Sequence, residues 1–269
     1  MNKCAIIIPV HKEITDKQDH YLLSRSLKVF SKRDIYFIAP SQLKAYVDTL
    51  QKDYHSTNVK FFKDSYFKNV KQYSRLLTSD IFYREFLNYS HVCICQLDVL
   101  SLRDELDYWM DQPWDYIGAP MFEGYGKTNS RQFVSTLNGG FSLRKVDSSL
   151  RVLNTVKIRY CRVKDLYSME NNIYLKCVRI IRDGLIFNYN IPFFRMLLNE
   201  DLYWTYIAPR THSWFKTPGP DIARKFAFDK HPTWLYELNG KQLPLAIHAW
   251  NRFEPEFAEK ILTNSLPTS

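Results

Sequence analysis

The sequence predicts an α/β fold in which a mostly parallel sheet is flanked by helices. Three observations predict it: near-continuous apolar runs of strand length, proline or polar residues closing those runs, and stretches of helical period between them. Strands alternating with helices at this spacing imply right-handed crossovers. In open sheets so connected, ligands collect beyond the carboxyl ends of the strands.

Cys4 to Val10 reads as the first, central strand, bounded by Pro9 and His11. Leu22, Leu23, Leu27 and Phe30 then fall on one helical face. Ile35 to Pro40 is a second strand, stopped by its proline. Ser41 stands where it can cap the next helix, and Val59 to Phe62 makes a short third strand. Ser79 or Asp80 can cap a helix from Phe82 to Tyr89, which feeds a strand through Val92, Cys93, Ile94 and Cys95 to Gln96, Leu97 and Asp98. After Ile117 the alternation gives way to longer loops, a glycine pair and many aromatics, read as the other half of the same fold.

A chain of 269 residues suits one large α/β domain. Its expected divisions are a first half to about residue 120, a second from about 121 to 253, and a C-terminal helix and tail from 254 to 269. No run of ~18 apolar residues is available for a transmembrane helix. The start, Met1-Asn2-Lys3 leading into Cys4-Ala5-Ile6, lacks the pattern of a signal peptide, so a cytoplasmic protein is expected. Five cysteines, an odd number without paired ligand spacing, argue against a disulfide framework or a zinc site.

The formal charge is +9, and much of the excess is local: Arg144 to Asp183 holds ten basic and four acidic residues. Interleaved with Leu150, Val152, Leu153 and Val156, these charges read as a solvated helix face or as a basic face for an anionic membrane or a lipid-diphosphate acceptor. No zinc spacing, helix-turn-helix cue or glycine-aromatic RNA signature supports nucleic-acid binding.

Asp98 ends an apolar run, where a carboxylate either meets solvent or holds a divalent cation against a diphosphate. Gly139 and Gly140 permit a positive φ and close passage to a ligand, or simply a tight turn; Arg144 follows, within reach of a phosphate or of solvent. Asn199-Glu200-Asp201 is either a capped helix start favoured by the helix dipole or the source of a general base. His248, beside Trp250, is either a packed histidine or a ligand suited to Mn²⁺. Among six tryptophans, Trp204 and Trp250 stand out as platforms on which the apolar face of an acceptor sugar could stack.

In order, the Gln96-Leu97-Asp98, Asn138-Gly139-Gly140-Phe141-Ser142-Leu143-Arg144, Asn199-Glu200-Asp201 and His248-Ala249-Trp250 segments resemble a family of bacterial GT-A-type glycosyltransferases of polysaccharide assembly, long described only as a domain of unknown function. Arg103 to Leu106, Tyr108-Trp109, Asp115 to Pro120, Phe226 to Phe228, Leu238 to Gly240 and Leu243-Pro244 extend the match to about Phe253. The resemblance implies a GT-A-type, Rossmann-like single domain. It also implies an inverting enzyme that moves a sugar from a nucleoside diphosphate donor to a glycan or lipid-linked glycan of a lipopolysaccharide or capsule. Pro9, Val10, His11, Gln96, Asp98, Gly139, Gly140 and Arg144 would meet the donor; Asp98 and His248 would hold Mn²⁺ or Mg²⁺; Asp201 would be the base, with Glu200 beside it. Gln96 stands where many such enzymes carry the first aspartate of an Asp-x-Asp triplet, which leaves open a cation held by fewer carboxylates or metal-independent chemistry. Two other readings stand beside this one: a catalytically weak sugar-nucleotide or glycan-binding module, and a nucleotidyltransferase. The glycine-free segment after Val10 weighs against the latter.

Overall fold

The computed structural model describes residues 3–54, 57–124, 129–155, 173–174 and 198–263. A six-stranded sheet has the order β3-β2-β1-β4-β7-β6. Its strands are β1 (Cys4–Pro9), β2 (Asp34–Pro40), β3 (Thr57–Phe62), β4 (His91–Cys95), β6 (Tyr116–Phe122) and β7 (Phe133–Lys145). β1 to β4 run parallel, while β7 is antiparallel to both β4 and β6. A second sheet orders β5 (Val99–Ser101), β9 (Ala246–His248) and β8 (Ala227–Phe228).

The large sheet is covered on both faces, which is why its strands read as apolar runs rather than alternations. Ala5, Ile7, Val92 and Ile94 point into one core, with Leu76, Phe82 and Tyr203; Ile6, Ile8, Cys93 and Cys95 point into the other, with Leu23, Val47 and Trp109. Buried thiols at Cys4, Cys93 and Cys95 serve as small apolar side chains. A third cluster, including Leu100, Phe228, Ile247 and Trp250, seats the small sheet against the helix Pro255–Leu262. No helix among the described residues is long and apolar enough to cross a membrane.

Helix α1 (Lys17–Val29) starts where Asp16 accepts the Gln18 N–H at 2.7 Å. Helix α3 (Val70–Leu77) is capped in the same way by Asn69. Other starts differ from expectation. Ser41 opens a short 3₁₀ turn ahead of α2 (Lys44–Asp53) and makes no cap, and α4 (Asp80–Arg84) follows Ser79 but stops well short of Tyr89. β4 ends at Cys95, so Gln96 to Asp98 form a turn closed by the Val99 N–H on the Gln96 carbonyl at 3.1 Å. Most of the basic stretch between Arg144 and Asp183, with Cys161 and Cys177, lies outside the described residues.

Candidate active site

Strand order reverses between β1 and β4: from β1 the chain builds outward through β2 and β3, then returns to the other side of β1 as β4. At such a reversal the loops leaving the two strands part and open a crevice. A cleft of about 450 Å³ lies there, lined by Pro9 and His11 after β1, Gln96, Leu97 and Asp98 after β4, and Phe67, Lys68, Asn69, Val70 and Tyr73 from the approach to α3. A second cleft of about 690 Å³ sits at the opposite ends of the strands, around Lys3, Cys4 and Arg33. There Arg33 grips Asp104 at 2.6 Å and Asp107 at 3.0 Å.

The small sheet assembles the polar corner of the first cleft. β5 pairs with β9 so that Val99 faces His248, which sets Asp98 beside the imidazole; β8 pairs with β9 so that Phe228 faces Ile247, which sets Asp229 on its other side. His248 Nε2 lies 3.4 Å from Asp98 Oδ1 and 3.2 Å from Gln96 Oε1. Its Nδ1 lies 3.3 Å from Asp229 Oδ1. Burial pulls the His248 pKa down, but the hydrogen bonds of Asp229 and Asp98 overcome it and lift the value to about 10. Burial raises Asp98, yet the His248 hydrogen bond and charge leave it below its ordinary value. The chain turns sharply after His248, with Ala249 at φ 48°, a conformation costly for a residue with a Cβ.

With the imidazole neutral, these residues could hold a divalent cation. Two cis ligands at about 2.1 Å from an ion stand ~3 Å apart, close to the separations of Nε2 from Asp98 and Gln96. Asp229 occupies the other ring nitrogen, the arrangement that orients metal-binding imidazoles. The donor set is one carboxylate, one amide oxygen and one imidazole; among the described residues no three His, Cys, Asp or Glu side chains cluster as a metal site.

Gly139 and Gly140 pass directly against Glu200 and His248. Between Gly118 and Pro120 β6 advances one intervening residue, while their partners Ser142 and Leu137 on β7 are separated by four, so the glycine pair is a bulge. Asn138 Oδ1 accepts the Gly140 N–H at 2.7 Å, and its amide donates to Asp229 Oδ2 at 3.2 Å, tying the bulge to the His248 support. Neither glycine has a positive φ; among the described glycines only Gly124 and Gly240 do. The glycines are needed for space. A Cβ on Gly140 would fall on the His248 ring, 2.6 Å from Cε1 and nearer still to Nε2; one on Gly139 would overlap Glu200 Oε1 and lie 3.3 Å from Arg144 Nη2.

Glu200 and Asp201 open a helix whose next segment, Tyr203–Ile207, is a π-helical turn. Pro209 has no N–H for the Thr205 carbonyl, and the ladder slips there. The Thr205 hydroxyl donates to the Asp201 carbonyl at 2.7 Å and accepts the Leu137 N–H at 3.2 Å, pinning the acid pair to β7. Burial, then the Glu200 charge, pushes the Asp201 pKa up to about 7. Glu200 Oε1 accepts Arg144 Nη2 at 2.9 Å, and Glu200 Oε2 has no hydrogen-bond partner among the described residues. Asn199 precedes this helix without a side-chain cap bond.

Several expected contacts are corrected. Arg144 is 0% exposed and spent on Glu200, so it reaches neither phosphate nor solvent. Val10 is 0% exposed in the core, its N–H donating to the Ile38 carbonyl, and offers no side chain to a donor. Trp204 is 0% exposed, stacked on Phe215 with its N–H on the Leu77 carbonyl at 3.0 Å, which leaves no face for a sugar. Trp250 is buried at 5% exposure among Leu100, Phe228 and Ile247, so packing occupies its ring. Asp229 and Tyr73 are the residues that sequence reasoning missed; the only signal for Asp229 was its place directly after Phe226-Ala227-Phe228.

Distant structural likenesses accompany this arrangement. Mouse xyloside xylosyltransferase 1 in its apo form superposes with a TM-score of 0.48 at 8% identity, covering 92% of this chain and 97% of that one. A glycosyltransferase involved in the glycosylation of the major capsid of PBCV-1 gives 0.42 at 10% identity, covering 91% and 92%. Apo-form GlyE, a glycosyltransferase of Streptococcus pneumoniae TIGR4, gives 0.43 at 9% identity, covering 93% of this chain and 54% of that one. No curated protein matches the chain in sequence. The family described as "Protein of unknown function (DUF5672)" matches residues 56–248, well over half of the sequence, and the chain belongs to that family.

Proposed function

We propose that the protein is an inverting glycosyltransferase that moves a sugar from a nucleoside diphosphate donor to a hydroxyl of a glycan acceptor. The observation that carries this reading is the meeting of Asp98, Gln96 and His248 at the mouth of a cleft at the β1/β4 reversal, with the Glu200-Asp201 pair held against the adjoining bulge. Pro9 and His11 line the cleft on the β1 side. Burial and then the Lys12 charge hold the His11 pKa below its ordinary value, so it meets the donor as a neutral imidazole. Asp98 and His248, with the Gln96 oxygen, would hold Mn²⁺ or Mg²⁺, and the cation would supply the positive charge that neutralises a departing diphosphate.

Asp201 takes the acceptor hydroxyl's proton as that oxygen attacks the anomeric carbon. A carboxylate lifted to about 7 suits this role, since a base works best with a pKa near the operating pH. Glu200, fixed by Arg144, orients the acceptor with its unpartnered Oε2. The motif resemblance supports a surface-polysaccharide or lipid-linked acceptor. The test is incubation with a panel of nucleotide sugars and glycan acceptors plus Mn²⁺: release of nucleoside diphosphate with product of inverted anomeric configuration supports the reading. Pyrophosphate release, or nucleotide-sugar binding without turnover on any acceptor, replaces it with nucleotidyl transfer or a binding module.

A further inference from the structure

Tyr73 projects from α3 into the wall of the cleft, and no role above uses it. Its ring packs against the core beside Phe67, while its hydroxyl oxygen is fully buried next to the Gln96 side chain and its proton has no acceptor among the described residues. A buried O–H without an acceptor forfeits the hydrogen bond it gave to water, and native proteins keep few such groups without a use. Two tyrosines packed nearby in the same core show the usual solution: Tyr83 donates to the Leu77 carbonyl at 3.2 Å and Tyr116 to the Asn138 carbonyl at 3.3 Å. Tyr73 lines the cleft with Gln96 and Asp98, and α3 packs against the helix that Glu200 opens, so the residue stands between the two halves of the site. A tyrosine hydroxyl is a neutral hydrogen-bond donor at working pH.

We propose that Tyr73 is a donor-recognition residue whose hydroxyl donates a hydrogen bond to an oxygen of the transferred sugar. This rests on the glycosyltransferase reading. A diphosphate belongs at the Asp98–His248 corner and the attacking hydroxyl at Glu200-Asp201, so the group between them is the sugar, and sugar hydroxyls are acceptors for a phenol.

The test is Tyr73→Phe, followed by thermal midpoint and by binding of a nucleoside diphosphate and of the matching nucleotide sugar, each with Mn²⁺. The expected result is an unchanged or raised midpoint, unchanged affinity for the nucleoside diphosphate, and affinity for the nucleotide sugar reduced about tenfold, the worth of one neutral hydrogen bond. A lowered midpoint overturns the proposal by showing that the hydroxyl already has an internal partner. Equal losses for both ligands overturn it by moving the contact to the diphosphate, and unchanged binding of both overturns it outright. Wild-type protein that binds no nucleotide sugar in the panel removes the glycosyltransferase reading itself, which none of the Tyr73→Phe outcomes does.

Discussion

Replacing Gly140 with alanine tests whether the bulge exists to seat His248. The added Cβ would lie 2.6 Å from His248 Cε1 and closer to Nε2, against an optimal carbon–carbon separation of about 3.5–4.0 Å. The ring must therefore retreat by about 1 Å, or the bulge must open. Retreat lengthens the 3.3 Å contact with Asp229 and disturbs the 3.2 and 3.4 Å spacings to Gln96 and Asp98. Crowding of this kind costs about 1–3 kcal/mol of stability, and a misplacement of ~1 Å in a reacting site costs about a hundredfold in rate. Gly219→Ala is the control, because a Cβ there meets nothing within 4 Å. Urea unfolding and nucleoside diphosphate release, each with and without Mn²⁺, measure both effects. A Gly140→Ala protein that keeps wild-type turnover and wild-type stabilisation by Mn²⁺ would refute the reasoning.

Asp201 predicts a pH limb: with its pKa near 7, kcat/KM should rise with pH through about 7 and lose that limb, along with about 10²- to 10⁴-fold in rate, in Asp201→Asn. The same shift acts on stability. Because the folded value stands above the unfolded one, the stabilising contribution is complete below about pH 4 and is lost as pH rises through about 7. Asp201→Asn should flatten thermal stability across that window, and an unchanged slope would count against the assignment. For the buried Arg144–Glu200 pair, Arg144→Met alone should cost about 3–5 kcal/mol in urea unfolding, because it strands the Glu200 charge; the double change to two methionines should cost markedly less. Equal costs for single and double variants would show that the two groups do not depend on each other.

The sheet was legible in the sequence because its strands are buried on both faces: Ile6 to Ile8 and Val92 to Cys95 stay apolar without a break, and Pro9 and Pro40 end β1 and β2. The three-residue strands β5 and β9 were not, since so few residues carry no period. Yet their register is what sets Asp98 against His248. The two glycines lack the positive φ that the sequence allowed them and instead leave room for Glu200 and His248, because positive φ and lack of room leave the same mark on a sequence. Arg144 was read as within reach of a phosphate or of solvent because its partner, Glu200, lies far along the chain and only the fold brings the two together in the core. Trp204 follows the acidic pair closely in sequence, but a helix carries residues three and four positions on to its buried side as readily as to its exposed one. Asp229 is a single acid whose one cue is the Phe226-Ala227-Phe228 segment before it, and only the pairing of β8 with β9 reveals its place beside His248.

A crystal structure with a nucleoside diphosphate and Mn²⁺ tests the central claim most directly. The account predicts the diphosphate and the ion at the Asp98–His248 corner, with the nucleoside in the cleft lined by Pro9, His11, Phe67 and Tyr73. Density for the nucleotide at the opposite ends of the strands, in the cleft around Lys3, Lys28 and Arg33, would contradict it.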